Sequence, residues 1–232
     1  RAIDFAFNWI DTFPLAPETG FVLHPLLARD DLGDRSSRAI DFAISWIETF
    51  PLVPETGFVL NPLLARDDLG DRSSRAIDFA FNWIETFPLV SDTGFVLAPL
   101  LACNNLGDYS SRAIEFAINW INKFPLDTET KFVLGPLLAR NDLGTRSSRA
   151  IDFAINWINK FPLVPETRFV LNPLLARDDL GDRSSRAIDF AISWIETFPL
   201  VPETGFVLNP LLARDDLGDR SSRAIDFAFN WI

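Results

Sequence analysis

The chain has 232 residues, of which 48% are hydrophobic, and its net charge at pH 7 is −11. Its 22 Phe and 7 Trp exclude a disordered chain, and its single cysteine excludes an intrachain disulfide and a cysteine-built zinc site. The excess of acid disfavours nucleic acid as a partner. The apolar runs are too short to cross a bilayer, and no segment has a signal-peptide pattern. We therefore expect a cytoplasmic protein with no membrane partner.

The string Arg-Ala-Ile-Asp-Phe recurs every 37 residues, once with Glu in place of Asp. This period makes the chain a single repeat domain spanning 1–232, with six full repeats and ten residues of a seventh. The repeats are 1–37, 38–74, 75–111, 112–148, 149–185, 186–222 and the partial 223–232.

The first half of each repeat predicts an amphipathic helix, here called the A helix. In repeat 2, the apolar residues from Ala39 to Phe50 follow the 3.6-residue period of a helix. Ser36 or Ser37 can cap its first turn, and Pro51 ends it because proline lacks an amide hydrogen. We predict an A helix over 37–50.

The second half predicts a B helix that opens at Pro54-Glu55 and precedes a left-handed Gly70. Pro62 falls inside it, so the helix either kinks there or restarts with Asn61 as its cap. An extended 58–60 segment is the alternative. The residue before this proline changes between repeats, which indicates a permissive, exposed position. It is His24, Asn61, Ala98, Gly135, Asn172 or Asn209.

One helix pair of 37 residues cannot bury both of its faces, so neighbouring repeats must stack. The predicted fold is all-α, an α-solenoid of six helix-turn-helix repeats plus a terminal helix, with a closed α-toroid as the alternative. In repeat 2, Trp-Ile-Glu-Thr-Phe-Pro is followed by Phe-Val-Leu-Asn-Pro-Leu-Leu-Ala-Arg-Asp-Asp-Leu-Gly. This pattern resembles bacterial tetratricopeptide-like (TPR-like) tandem repeats, a resemblance that implies protein–protein recognition.

A polar stripe along the A helices is the first candidate site. An acid at the fourth position of each repeat and an amide or hydroxyl at the eighth share one helix face. Stacked repeats would form a groove that selects a basic peptide. The alternative is a solvated face in which each Arg offsets the Asp three residues later. The candidates are Asp4, Asn8, Asp41, Ser45, Asp78, Asn82, Glu115, Asn119, Asp152 and Asn156.

The second candidate site is a basic island in repeats 4 and 5. These repeats carry net charges of +1 and 0, whereas each other full repeat carries −3. The difference in charge comes partly from four basic residues, which could bind an acidic segment of a partner. The alternative is that these residues are surface variation without a function. They are Lys123, Lys131, Lys160 and Arg168.

The predicted function is a non-enzymatic scaffold that binds a protein or peptide. One histidine and one cysteine offer no nucleophile–base set, so we expect no catalytic, cofactor or metal residues. The alternative is a structural protein that self-associates end to end into filaments.

Overall fold

A computed structural model describes residues 1–104 and 106–231. Over these residues the chain forms α-helices and short 3-10 turns without any strand, so the all-α prediction is confirmed. Helix pairs recur with the period of the sequence, as in an α-solenoid. The A helices are α1 (Ala2–Thr12), α3 (Ser36–Thr49), α5 (Ser73–Thr86), α7 (Ser110–Lys123), α9 (Ser147–Lys160), α11 (Ser184–Thr197) and α13 (Ser221–Trp231). The B helices are α2 (Thr19–Leu27), α4 (Thr56–Leu64), α6 (Thr93–Ala102), α8 (Thr130–Ala139), α10 (Arg168–Leu175) and α12 (Thr204–Leu212).

Each full repeat ends in a glycine-led 3-10 turn that runs directly into the next A helix. Gly70 has φ of +58°, as predicted, but it opens the Gly70–Arg72 turn, whereas the B helix before it ends at Leu64. The predicted serine cap is wrong. Ser36 lies inside α3, and its hydroxyl donates to the Asp68 carboxylate instead of to a first-turn amide.

A buried threonine closes the turn between the two helices of a repeat. Thr56 is fully buried, and its hydroxyl donates to the carbonyl oxygen of Phe50, the residue at which α3 ends. The last carbonyls of a helix have no partner within that helix, so this bond satisfies one of them. The same bond joins Thr19 to Phe13, Thr93 to Phe87, Thr130 to Phe124, Thr167 to Phe161 and Thr204 to Phe198.

The B helix continues through its proline. Helix α4 includes Pro62, so of the predicted alternatives the helix that continues past the proline is the one observed, and the restart at Asn61 and the extended segment are wrong. Pro62 has no amide hydrogen for the carbonyl of Phe58, four residues earlier. His24 of the preceding repeat lies there instead, with its Nδ1 2.7 Å from that oxygen. A side chain from the neighbouring repeat therefore replaces the hydrogen bond that the proline removes.

The residue before the proline is thus a link between repeats. The Nδ2 of Asn61 donates to the Phe95 carbonyl at 2.6 Å, and the Nδ2 of Asn172 donates to the Phe206 carbonyl at 2.9 Å. All three linking side chains are at most half-exposed. The prediction of a merely permissive, exposed position missed this role.

Two compact units divide the chain, Arg1–Phe116 and Ala117–Ile232. Within each unit, neighbouring B helices pack side by side, and most B helices pack on the A helix that follows them, namely α2, α4, α8, α10 and α12. The core comes from the apolar face of the A helices together with B-helix leucines and valines. None of the described helices has the length and hydrophobicity that a transmembrane segment requires.

The repeated tryptophan packs against the preceding repeat and forms a hydrogen bond with it. Trp83 is 1% exposed and lies so close to Gly57 of the preceding repeat that a Cβ there would be 2.7 Å from the indole. Its Nε1 donates to the carbonyl of Val53 at 2.9 Å. The glycine in Thr-Gly-Phe thus lets the indole of the next repeat approach closely, and it does not serve a turn.

Candidate functional site

The acids of the predicted A-helix stripe are held by partners within the chain. The carboxylate of Asp41 receives a two-pronged contact from the Arg72 guanidinium, with the shortest N–O distance 2.6 Å. The pKa of the Arg72 guanidinium is raised, chiefly because it donates hydrogen bonds to this carboxylate. Four of the five acids in the stripe are paired, and Glu115 is exposed on α7. The pairs are Asp4 with Arg35, Asp41 with Arg72, Asp78 with the hydroxyl of Tyr109, and Asp152 with Arg183.

Arginines that open a repeat also pair outside their own helix. Arg38 contacts Asp11 of the preceding A helix, and Arg75 contacts Glu48 in the same way. The Arg38 guanidinium also lies 5.3 Å from the centre of the Phe42 ring. Partners on neighbouring turns and repeats therefore offset charges of the stripe.

The amides and hydroxyls of the stripe are exposed and close to the helix ends. Asn8, Ser45, Asn82, Asn119 and Asn156 all face solvent. In repeats 1 to 3 their backbone carbonyls accept hydrogen bonds from a threonine four residues later. These side chains are therefore open to solvent at equivalent positions of the A helices.

Two residues of the basic island are exposed, and the other two lie against phenylalanine rings of their own helices. Lys123 and Lys160 are exposed at the ends of α7 and α9. Lys131 is only 8% exposed; its Nζ donates to the Thr128 carbonyl at 3.0 Å and lies 4.5 Å from the centre of the Phe132 ring. Arg168 is half-buried, with its Cζ 4.4 Å from the centre of the Phe169 ring.

Lys131 and Arg168 occupy the position that is glycine in the other full repeats. The tryptophans of the following repeats nevertheless stay buried, since Trp157 and Trp194 are at most 1% exposed. The long side chains extend from the helix start to an adjacent phenylalanine. The substitution therefore places a cation beside an aromatic ring without opening the core.

A row of exposed phenylalanines runs along the B helices, and sequence reasoning missed it. The run Phe-Val-Leu reads as uniformly apolar, and the valine and leucine are buried in repeats 2 to 5, whereas the phenylalanine is 40–67% exposed in every full repeat. The sequence gives one indication of this exposure, which is that three consecutive apolar residues cannot all lie on the buried face of one helix. Within one unit these phenylalanines form the phenylalanine row, which is Phe21, Phe58 and Phe95 in the first unit and Phe132, Phe169 and Phe206 in the second.

A second exposed apolar residue recurs in the loop between the two helices. This leucine follows the proline that ends each A helix and is 48–73% exposed. The leucine row is Leu15, Leu52, Leu89, Leu126, Leu163 and Leu200. Every full repeat thus presents one phenylalanine and one leucine to solvent at fixed positions.

An arginine latch joins the carboxyl ends of successive B helices. The Arg66 Nη1 donates to the carbonyls of Leu27 and Arg29 in the preceding repeat, and its Nη2 donates to Ser36 and Asp68. The Arg66 hydrogen bonds hold the pKa of the Asp68 carboxyl at about 2, and the Ser36 hydroxyl adds to this effect. Arg177 and Arg214 make the same set of bonds.

Cys103 replaces the latch arginine in repeat 3. Its Sγ lies 3.6 Å from the carbonyl oxygen of Leu64, one of the oxygens that an arginine would reach, and the thiol is partly exposed. A cavity of about 500 Å³ lies beside Cys103, lined in part by Leu64, Arg66 and Ser73. Among the described residues, no group of three or more His, Cys, Asp or Glu side chains is placed to hold a metal ion.

No protein-family model, curated protein or solved structure matches the chain. The repeated helix-turn-helix units are the part of the tetratricopeptide-like resemblance that the structure shows.

Proposed function

We propose that the chain is a non-catalytic scaffold that binds a segment of another protein along the phenylalanine row. The observation that carries this proposal is the exposure of a phenylalanine at the same position of all six full repeats. Isolated exposed apolar residues are common on soluble proteins, but aromatic side chains repeated in register mark an interaction surface. Aromatic residues also supply much of the binding energy at protein interfaces.

The packing of the B helices brings these rings together. In the second unit, α8 and α10 are in direct contact, and the rings of Phe132 and Phe169 are 6.1 Å apart between centres. A bound apolar side chain could therefore contact two rings at once. Such a site would recognise an extended or helical segment by apolar anchors spaced like the repeats.

Repeats 4 and 5 add a preference for acid. Lys131 lies against Phe132 and Arg168 lies against Phe169, so each ring in this pair has a cation on its own helix. Lys123 and Lys160 are exposed at the ends of the preceding A helices. The proposed ligand of these two repeats is therefore a segment with both apolar and acidic side chains.

The predicted A-helix stripe remains a second proposed surface. A basic peptide that bound Asp41 or Asp152 would have to compete with Arg72 or Arg183 for the carboxylate. That competition favours the phenylalanine row as the main site.

A peptide-display experiment tests this assignment. A library of random peptides is selected on the intact chain, and the affinity of the enriched peptides is measured by fluorescence anisotropy. We expect sequences rich in apolar and acidic residues, and about tenfold or more weaker binding to the Phe132→Ala, Phe169→Ala double variant.

The matched control is the Asp152→Ala, Asn156→Ala double variant, which alters the A-helix stripe in repeat 5 and should bind normally. Circular dichroism checks that both variants keep their helix content. Two results would place the site on the stripe and overturn the proposal. One is weaker peptide binding only to the Asp152→Ala, Asn156→Ala variant, and the other is selection of peptides enriched in Lys and Arg.

A further inference from the structure

The leucine row lies on loops that the proposed function does not use. Each of these leucines stands between the end of an A helix and the start of a B helix, and we call this part of a repeat its loop edge, which is residues 11–20 in repeat 1. In repeats 1 and 2, Leu15 and Leu52 are about half-exposed. In repeats 4 and 5, Leu126 and Leu163 are exposed to the same extent. Both pairs of neighbouring repeats therefore present apolar side chains on their loop edges.

The charge of the loop edge differs between these two pairs of repeats. In the first unit, residues 11–20 and 48–57 carry four acids and no base. In the second unit, the corresponding residues 122–131 and 159–168 carry four bases and three acids. The two loop edges are therefore complementary in charge as well as being apolar.

Two carboxylates on the loop edge of the first unit are open to solvent. The acids that end the A helices contact the arginine that opens the next repeat, as Glu48 contacts Arg75. Glu18 and Glu55, at the starts of α2 and α4, are exposed, and no base among the described residues forms an ion pair with either of them. These two carboxylates can accept a cation from outside the chain.

Repeat 4 shows that the start of a B helix can hold a cation. The ammonium of Lys131 lies 3.7 Å from the carboxylate of Glu129 and 4.5 Å from the centre of the Phe132 ring. It also donates to the Thr128 carbonyl at 3.0 Å. Repeats 1 and 2 keep the glutamate and the phenylalanine at these positions and have glycine in place of the lysine. Each of them therefore presents the carboxylate and the ring without the cation that repeat 4 supplies for itself.

The second unit carries two exposed lysines on its own loop edge. Lys123 and Lys160 end α7 and α9, and no acid among the described residues forms an ion pair with either of them. They lie one repeat apart, as Glu18 and Glu55 do, and the B helices α8 and α10 of their repeats are in contact, as α2 and α4 are. Two lysines of one copy can therefore meet two glutamates of another copy in the same register.

We infer that the loop edge of repeats 4 and 5 in one copy of the chain binds the loop edge of repeats 1 and 2 in a second copy. The lysines Lys123 and Lys160 would each lie beside a glutamate and a phenylalanine, as Lys131 does in its own repeat. The glutamates are Glu18 and Glu55. The exposed leucines of the two loop edges pack against each other and supply the apolar part of the contact.

Charge reversal and its compensation test this inference. The mass of the intact chain is followed by light scattering after size exclusion, and it should rise with concentration and fall in about 0.5 M sodium chloride. The Lys123→Glu, Lys160→Glu variant and the Glu18→Lys, Glu55→Lys variant should each self-associate about tenfold or more weakly. An equimolar mixture of the two variants should associate again, because one then supplies acids and the other supplies bases.

The matched control is the Asp30→Lys, Asp67→Lys variant. It makes the same change in charge in repeats 1 and 2, on exposed residues beyond the other end of the B helices, and it should associate like the unaltered chain. Three results overturn the inference. The unaltered chain stays monomeric at every concentration, the mixture of reversed variants stays monomeric, or the control is weakened as much as the Glu18→Lys, Glu55→Lys variant.

The leucines test the apolar part of the contact. Leu52→Ala and Leu163→Ala, on the two sides of the contact, should each weaken association about fivefold, because each removes buried apolar area. Leu89→Ala alters the exposed leucine of repeat 3, outside the contact, and should have no effect. An equal effect of Leu89→Ala and Leu52→Ala would contradict the choice of repeats.

The inference does not rest on the peptide site of the proposed function. The Phe132→Ala, Phe169→Ala variant, which should lose peptide binding, should associate like the unaltered chain. Failure of one proposal can therefore be recognised while the other stands.

Discussion

Helices α5 and α13 carry the same apolar residues but bury them to very different extents. Trp83, Phe81 and Ile77 on α5 are 1%, 2% and 3% exposed. The corresponding Trp231, Phe229 and Ile225 on α13 are 39%, 75% and 47% exposed. The sequence of a repeat therefore fixes which residues can be buried, and the neighbours on each side decide whether they are. Stability in such an array is a sum of terms within repeats and terms between adjacent repeats.

The tryptophans should show the largest difference between the two helices. Trp83→Ala should cost about 3–5 kcal/mol of unfolding free energy, because it leaves a cavity under Gly57 and removes the bond to Val53. Trp231→Ala should cost only about 1–2 kcal/mol, since that ring is already partly solvated. Urea unfolding followed by circular dichroism measures both. Equal losses would show that α13 is packed as tightly as α5.

The buried threonines should show no difference between an end repeat and an inner repeat, because their hydrogen bond stays within one repeat. Thr56→Val and Thr19→Val should each cost about 1–2 kcal/mol, as each leaves a helix-end carbonyl without its donor. Similar losses in an end repeat and an inner repeat are expected in the same urea experiment. A loss at Thr56 that is several times larger would mean that this bond also supports the contact between repeats.

The asparagines before the B-helix proline should again distinguish the inside from the end. Asn61→Ala should cost about 1 kcal/mol, because Pro99 cannot supply the hydrogen bond that the Phe95 carbonyl loses. Asn209→Ala should be neutral in the dilute monomer, since Asn209 is exposed on α12. Thermal melts at low concentration compare the two. Equal destabilisation would contradict the role of Asn61 as a link.

The latch carboxylate should give the smallest effect, and it should depend on pH. The pKa of Asp68 in the folded chain is about 2, below its ordinary value of 3.8, so its contribution is present above pH 3.8 and is lost as the pH falls towards 2. Asp68 is partly exposed, so solvent screening leaves a contribution of about 0.5–1 kcal/mol. Asp68→Asn should remove this part of the acid sensitivity. An unchanged pH profile of unfolding between pH 5 and pH 2 would contradict the pairing.

The period, the helix pairs and the face of the A helix could be predicted from the sequence because each depends on local pattern. The sequence could not decide whether α4 continues past Pro62, because the donor that replaces the bond lost there comes from His24 of another repeat. The role of Ser36 was missed for the same reason, since its partner Asp68 lies in the next repeat. Contacts between repeats decided each of these features.

The candidate sites were harder to predict than the fold. Spacing within the A helix could not show that Asp41 pairs with Arg72, which lies in the 3-10 turn that ends the repeat. The phenylalanine row was hidden because Phe58, Val59 and Leu60 are equally apolar, and only packing shows that Phe58 faces out. Pattern within one repeat cannot separate a core residue from an exposed one when the whole run is hydrophobic.

We conclude that the neighbouring repeats, and not the sequence of the helix itself, determine which residues of a helix are buried. The indole N–H groups of the tryptophans provide a direct test. Hydrogen exchange of these protons is measured by NMR on the dilute monomer. We expect much faster exchange for Trp231 than for the five indoles that are at most 1% exposed. These are Trp46, Trp83, Trp120, Trp157 and Trp194. Protection of Trp231 equal to that of Trp83 would contradict it.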